Sequence, residues 1–171
     1  MTGSGQAKAT DRTDAADEKI DKPQLRLDTF LPHRLSVLSN TVSRQISREY
    51  AERFGLSIPE WRVIAVLQYF PGISSGELAK ESGMDNVAVS RAVDLLVRGG
   101  LITRHSSASD RRRSVLDLTA KGQRVYDEIT PLALASASLL AQELTVAERK
   151  QLDSLLTKLL TQAKRLGTDS P

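Results

Sequence analysis

From Phe30 onward the chain carries hydrophobic residues in a helical rhythm that is interrupted once. Leu31, Leu35, Leu38, Val42, Ile46 and Tyr50 recur every three or four positions with Arg34, Arg44 and Arg48 between them, which predicts an amphipathic helix of about six turns. Gly55 supplies the left-handed geometry that ends it. Ser57 and Glu60 then stand at capping-box spacing, with Pro59 in the first turn and an apolar run of Trp61, Ile64, Ala65, Val66 and Leu67, so a second helix is expected up to Pro71-Gly72. A Ser74 to Glu77 box, Leu78 and Ala79, and a Gly83 stop mark a short third helix. The fourth starts with Asp85 or Asn86 as N-cap and ends at Gly99-Gly100. At 100° per residue, Val89, Ala92, Val93 and Leu96 share one of its faces, and Val87, Arg91, Asp94 and Arg98 the other.

The rhythm changes in "LITRH" and "SVLDLT", two β-branched runs separated by a Ser/Asp/Arg loop, and these read as a hairpin. Helical spacing returns from Thr119, where Pro131 should kink or interrupt the helix. A Thr145 to Glu148 box opens a last helix with Leu152, Leu155, Leu156, Leu159 and Leu160 along one side. Two short helices joined by a turn, the second presenting polar and basic residues outward, form a helix-turn-helix; the hairpin behind it makes a winged helix. The predicted fold class is therefore mainly α with a small β-hairpin wing. The first and last helices are more than a winged helix needs. Their surplus apolar faces are what a two-fold partner covers, so a homodimer is expected.

Composition narrows the function. The 171 residues suit one domain, and no apolar run approaches the roughly 20 residues of a membrane helix, so no membrane role is expected. Residues 1–29 are polar and aperiodic and read as a disordered arm with no secretory signal, which makes the cytoplasm the expected location. There is no cysteine, which excludes disulfides and thiol-based oxidant sensing, and there are only two histidines. Without a Gly-rich phosphate loop, metal-ligand cluster or nucleophile elbow, neither an enzyme nor a bound cofactor is expected. Positive charge is concentrated rather than abundant. Residues 86–124 hold Arg91, Arg98, Arg104, Arg111, Arg112, Arg113, Lys121 and Arg124 against Asp94, Asp110 and Asp117, a surplus of five within a chain of net charge +3. That is how a polyanion-binding surface looks in sequence.

The order of elements resembles the MarR family of bacterial transcriptional regulators over about residues 30–165. The most specific part is a wing signature, D-x-R followed by L-T-x-x-G, present as Asp110, Arg112, Leu118, Thr119 and Gly122. "LAKESGMDNVAVSRAVDLLVRGGLITR" is similar to the family's helix-turn-helix and the strand after it. The resemblance implies one domain over residues 30–167, with a DNA-binding winged helix at about 57–118 and dimerisation helices at about 30–54 and 120–166. It implies a triangular homodimer on a pseudo-palindromic operator in double-stranded DNA, with recognition helices in major grooves and wings at minor grooves. It also implies release by a small aromatic acid or, in the aromatic-catabolism (hydroxycinnamate-type) branch, its CoA thioester.

On that frame the base readers are Asn86, Val87, Ala88, Ser90 and Arg91, at the start of the recognition helix. Asn pairs bidentately with adenine and Arg with guanine, and Val or Ala meets a thymine methyl. The bland alternatives are a plain N-cap for Asn86 and an idle surface valine for Val87. By the family's pattern Arg112 pairs with Asp110 to stiffen the wing tip at the minor groove, leaving Arg111 and Arg113 to phosphates or water. Ser74 and Ser75 could offer backbone N–H groups to a phosphate, or serve only as caps. The family's ligand crevice nominates His33, Arg34, Ser39, Arg48 and Trp61: arginine as a clamp for a carboxylate or phosphate, the indole as a stacking surface. Trp61 has a core role as its alternative, and His33 a surface or dimer-contact role. The rival for the whole chain is a winged helix that contacts only proteins, against which the basic recognition face and wing argue.

Overall fold

The computed structural model describes residues 24–106 and 112–168, as six helices and one hairpin. Two compact units divide at Ser36 and Val37. In the first, residues 24–36, Arg26 pairs with Asp28 at 2.6 Å and the Phe30 N–H donates to the Arg26 carbonyl at 2.9 Å, turning the chain into the start of helix α1 (Leu31–Phe54). Leu31 and Leu35 are exposed there.

The second unit holds the core. In its part of α1, Val42 and Ile46 are half-buried and Tyr50 is 1% exposed. Gly55 stops the helix at φ 66°. Helix α2 (Ile58–Tyr69) has the full capping box: the Ser57 N–H donates to Glu60 Oε2 at 2.8 Å, and the Ser57 hydroxyl oxygen accepts from the Glu60 N–H. Its buried positions are Val63, Ile64 and Leu67. Trp61, Ala65 and Val66 are half-buried, Trp61 and Val66 packed against the core.

Helices α3 (Ser75–Ser82) and α4 (Asn86–Arg98) follow, and α2, α3 and α4 pack on one another. Strands β1 (Ile102–Ser106) and β2 (Ser114–Leu118) pair antiparallel, with Ile102 opposite Leu118 and Ser106 opposite Ser114. The expected alternation of buried and exposed residues is not seen. In β1 only Ile102 is buried, and in β2 the neighbours Val115 and Leu116 are both buried. In β2 the packing is midway along the ribbon, where Leu116 also bridges to Ile73 ahead of α3.

Helix α5 (Ala120–Leu140) runs without interruption through Pro131. Pro131 and Asp127, the residue whose carbonyl loses its helical donor to the proline, are both exposed. Helix α6 (Val146–Thr168) starts at the Thr145–Glu148 box and has no buried residue. Its leucines at 152, 155, 156, 159, 160 and 166 are all 37–63% exposed. Among the described residues no helix is long and apolar enough to cross a membrane.

Candidate nucleic-acid interface

Local sequence fixes how α3 and α4 are presented. Gly83 closes α3 in the left-handed region at φ 65°, and two residues later Asp85 caps α4, its Oδ1 accepting the Ala88 N–H at 2.8 Å. Asp85 thereby takes the cap role weighed for Asn86, which becomes the first helical residue with an exposed side chain. The inner face of α4 is closed: Val89, Ala92, Val93 and Leu96 are at most 2% exposed. The outer face carries Asn86, Val87, Ser90 and Arg91, all exposed, with Ala88 half-buried at its edge. Val87 is 60% exposed, and among the described residues nothing engages the Arg91 guanidinium in an ion pair or hydrogen bond.

At the start of α3, Ser74 is committed. Its N–H donates to Glu77 Oε2 at 2.8 Å, its hydroxyl donates to the same oxygen at 2.8 Å, and its oxygen accepts the Glu77 N–H. The reading of Ser74 as a backbone donor to phosphate therefore gives way to capping, since the Glu77 carboxylate already occupies the place of an anion. Ser75 is half-buried as the first helical residue. Asn86, Ser74, Glu77, Lys80, Asp85 and Arg113 line a groove of about 640 Å³ between the two helix starts and the wing.

The wing departs from expectation at Arg113. It is held by Glu77 in an ion pair rather than left to phosphate or solvent. With the Arg113 guanidinium as the main cause and the Ser74 donors next, the Glu77 carboxyl is pulled down to about 2. Arg112 is exposed at the foot of the turn into β2. Asp110 and Arg111 lie outside the described residues. Further ties that spacing could not reveal are Arg104 to Asp94 at 3.3 Å, His105 Nε2 to Asp117 Oδ2 at 3.4 Å, and the Gly72 N–H to Asp117 Oδ1 at 2.8 Å.

The second half of the wing signature works as a clasp. Thr119 caps α5 by accepting the Gly122 N–H at 3.0 Å, and its hydroxyl lies 2.8 Å from the Gly100 carbonyl and 3.1 Å from that of Leu101. Gly122 passes so close to Leu101 that a Cβ there would sit 2.0 Å from the Leu101 carbonyl oxygen. Lys121 Nζ donates to the Gly99 carbonyl at 2.9 Å, satisfying the end of α4.

The MarR family model matches residues 54–113, the span from the end of α1 through the wing turn. The HTH-type transcriptional regulator BilQ of Clostridium symbiosum is 30% identical over 108 residues, which are 63% of this chain and 75% of that protein. The chain belongs to the MarR family. An HTH-type transcriptional repressor of Mycobacterium tuberculosis is 28% identical over 105 residues, 61% of this chain and 76% of its own. Among solved structures, a MarR/EmrR family regulator from Acinetobacter superposes with a TM-score of 0.75 at 29% identity, covering 82% of this chain and 99% of that one. The protein is thus a transcriptional regulator of the MarR family, with the winged-helix fold and no enzymatic role.

Of the ligand residues nominated for a MarR chain, those of the second unit do not share the cleft that Arg48 lines. His33 and Arg34 lie exposed on the first turn of α1, in the first unit. Ser39 is exposed farther along α1, and Arg48 lines a shallow cleft of about 280 Å³ with Thr41, Arg44 and Gln45. Trp61 is elsewhere. Its ring stacks on Tyr126 and tilts against Tyr50, centroids 5.8 Å apart in each pair, so its faces are engaged by the protein itself. Burial pushes the Tyr50 hydroxyl up to about 12. Among the described residues no group of three acidic or histidine side chains is placed to share a metal ion.

Proposed function

We propose that the protein is a homodimeric repressor that binds a pseudo-palindromic operator in double-stranded DNA in the cytoplasm. A small aromatic acid or its CoA thioester releases it, as in the aromatic-catabolism branch of the family. The observation that carries the DNA reading is the outer face of α4: Asn86, Val87, Ser90 and Arg91 are exposed and uncommitted, on a helix whose inner face is fully packed. Thirteen residues give a helix of about 20 Å, which a major groove accommodates. The dimer reading is supported by α6, whose six leucines are unburied within one chain. Two copies would set the recognition helices on half-sites about one helical turn apart.

Two guanidinium groups, Arg44 and Arg48, flank the shallow α1 cleft and suit a carboxylate or thioester phosphate. Release is a population shift: to weaken DNA affinity 100-fold, the ligand must favour the non-binding arrangement by about 2.7 kcal/mol.

Fluorescence anisotropy on the DNA upstream of the protein's own gene and on scrambled DNA, at two salt concentrations, tests this reading. Selective, salt-sensitive binding supports it and provides the assay for aromatic acids and thioesters. Equal and weak binding to both duplexes, and to a random pool, favours a module that contacts only proteins. The ligand half fails if compounds that bind the protein leave its operator affinity unchanged.

A further inference from the structure

The wing is tied to the helix-turn-helix at two heights. At its base, the Leu116 N–H donates to the Ile73 carbonyl at 2.9 Å, and the Gly72 N–H is shared between the Leu116 carbonyl at 3.1 Å and Asp117 Oδ1 at 2.8 Å. Three residues nearer the tip, about 10 Å along an extended strand, Arg113 reaches Glu77 on the first turn of α3. The strands between these ties are five residues each and pair only with one another beyond the Ile73 bridge. A two-stranded ribbon of that length is marginal on its own, so its orientation depends on such ties, among them Arg104 to Asp94 on α4.

We propose that Glu77 and Arg113 form a brace that sets the angle of the wing to the recognition helix, so that Arg113 is a positioning residue for operator selectivity and not a phosphate contact. The proposal rests on the DNA-binding reading and deepens it. Two observations carry it. Glu77 is held in place by the Ser74 N–H and hydroxyl, so its carboxylate is a fixed anchor and not a mobile counter-charge. The pair lies at the edge of the groove between the helix starts and the wing, where an unpaired carboxylate would repel the DNA backbone. An arginine that left Glu77 for a phosphate would expose that repulsion, whereas the intact pair neutralises both groups and fixes geometry.

Charge and geometry predict opposite signs for one substitution, and this makes the brace testable. Glu77→Gln keeps the capping box, because Gln serves at that position as Glu does, but removes the ion pair. If Glu77 acts only through its charge, E77Q tightens DNA binding and steepens its salt dependence. If it is a brace, E77Q weakens binding to the preferred sequence and leaves random duplex bound as before or better.

The experiment selects a preferred duplex from a random pool with the wild-type chain. It then measures E77Q, Arg113→Gln and the double variant on that duplex and on the unselected pool across a salt series. Amide exchange of residues 112–116 in the same DNA-free proteins is the second readout. An exposed pair of this kind is typically worth two- to fivefold, so two wings should cost roughly four- to twenty-five-fold on the selected duplex. Exchange at 112–116 should rise about two- to fivefold, with residues 63–67 unchanged. The double variant should be no worse than the weaker single one.

The proposal is overturned if E77Q binds the selected duplex as tightly as wild type or tighter. It is also overturned if R113Q weakens both duplexes evenly and lowers the salt slope by about one, which makes Arg113 a phosphate contact. A pool that yields no preferred duplex refutes sequence-specific DNA binding itself. In that case the exchange arm still decides the brace, because unchanged exchange at 112–116 rejects it.

Discussion

Replacing Gly122 by alanine should destabilise the protein, although the usual expectation has the opposite sign. Gly122 sits in the first turn of α5 without a positive φ, and at such a site alanine normally favours the helix by about 1 kcal/mol. Here the new Cβ would lie 2.0 Å from the Leu101 carbonyl oxygen and 3.0 Å from its carbon, with Leu118 Cδ2 at 3.4 Å. The first two neighbours are backbone and cannot rotate away, so the helix or the Leu101 peptide must move by about 1 Å, an overpacking that costs about 1–3 kcal/mol. The same oxygen accepts the Thr119 N–H at 3.0 Å and the Thr119 hydroxyl at 3.1 Å. Moving it weakens the Thr119 N–H bond, worth about 1 kcal/mol, while the hydroxyl keeps its shorter partner, the Gly100 carbonyl. Set against the helix gain, the net loss is about 1–3 kcal/mol, a drop of roughly 6 °C in Tm for a domain of this size. Urea and thermal unfolding followed by far-ultraviolet circular dichroism, at one fixed protein concentration because self-association shifts the midpoint, measure it. A G122A protein that melts within about 2 °C of wild type, or above it, would refute the clasp at Leu101.

Three further outcomes follow from the same geometry. The Glu77 carboxyl is depressed from its ordinary 4.5 to about 2, so its contribution to stability is complete above 4.5, fades as pH falls and is gone below about 2; the urea midpoint of wild type should decline more steeply across that window than that of E77Q. Tyr50 is raised to about 12, so its contribution is complete below about 10 and is lost as pH rises; in an alkaline absorbance titration Tyr50→Phe should remove the ionisation step near 12. Arg91→Ala should reduce discrimination between preferred and scrambled duplex by about 1–3 kcal/mol; a uniform loss on both would reassign Arg91 to a phosphate.

What was legible in the sequence was local. Each helix start carries its own instruction within four residues: Ser57 with Glu60, Ser74 with Glu77 and Thr145 with Glu148 all form the boxes their spacing predicts. The stops at Gly55 and Gly83 take the left-handed geometry expected of them. The two faces of α4 follow from the helical period alone. What stayed hidden depends on residues far apart in the chain. Glu77 was visible as a cap, but its second partner is 36 positions away, and nothing in "DRRRS" says which arginine turns back to the protein. Gly122 belongs to a recognisable motif, yet the reason for glycine is the Leu101 carbonyl, which only the closed hairpin brings near. Which positions of α2 are most buried was equally hidden, because an almost continuous apolar run carries no period from which a face can be chosen.

The distribution of partners over the basic segment bears on how the interface works. Basic side chains around the wing are largely engaged: Arg104 by Asp94, Arg113 by Glu77, and Lys121 by the carbonyl that ends α4. The opening turns of α4 show the reverse. Asp85 supplies the cap, so Asn86 keeps its amide, and Arg91 keeps its guanidinium for an outside partner. A charge already paired can contribute to DNA binding only by giving up its partner, and that loss offsets the gain. An uncommitted group on a packed helix incurs no such loss and little loss of backbone freedom. The proposed function therefore assigns base reading to residues 86–91, and the proposed Glu77–Arg113 brace holds the ribbon at a fixed angle beside them. On this argument the surplus of positive charge in residues 86–124 overstates the number of DNA contacts, because part of it is structural.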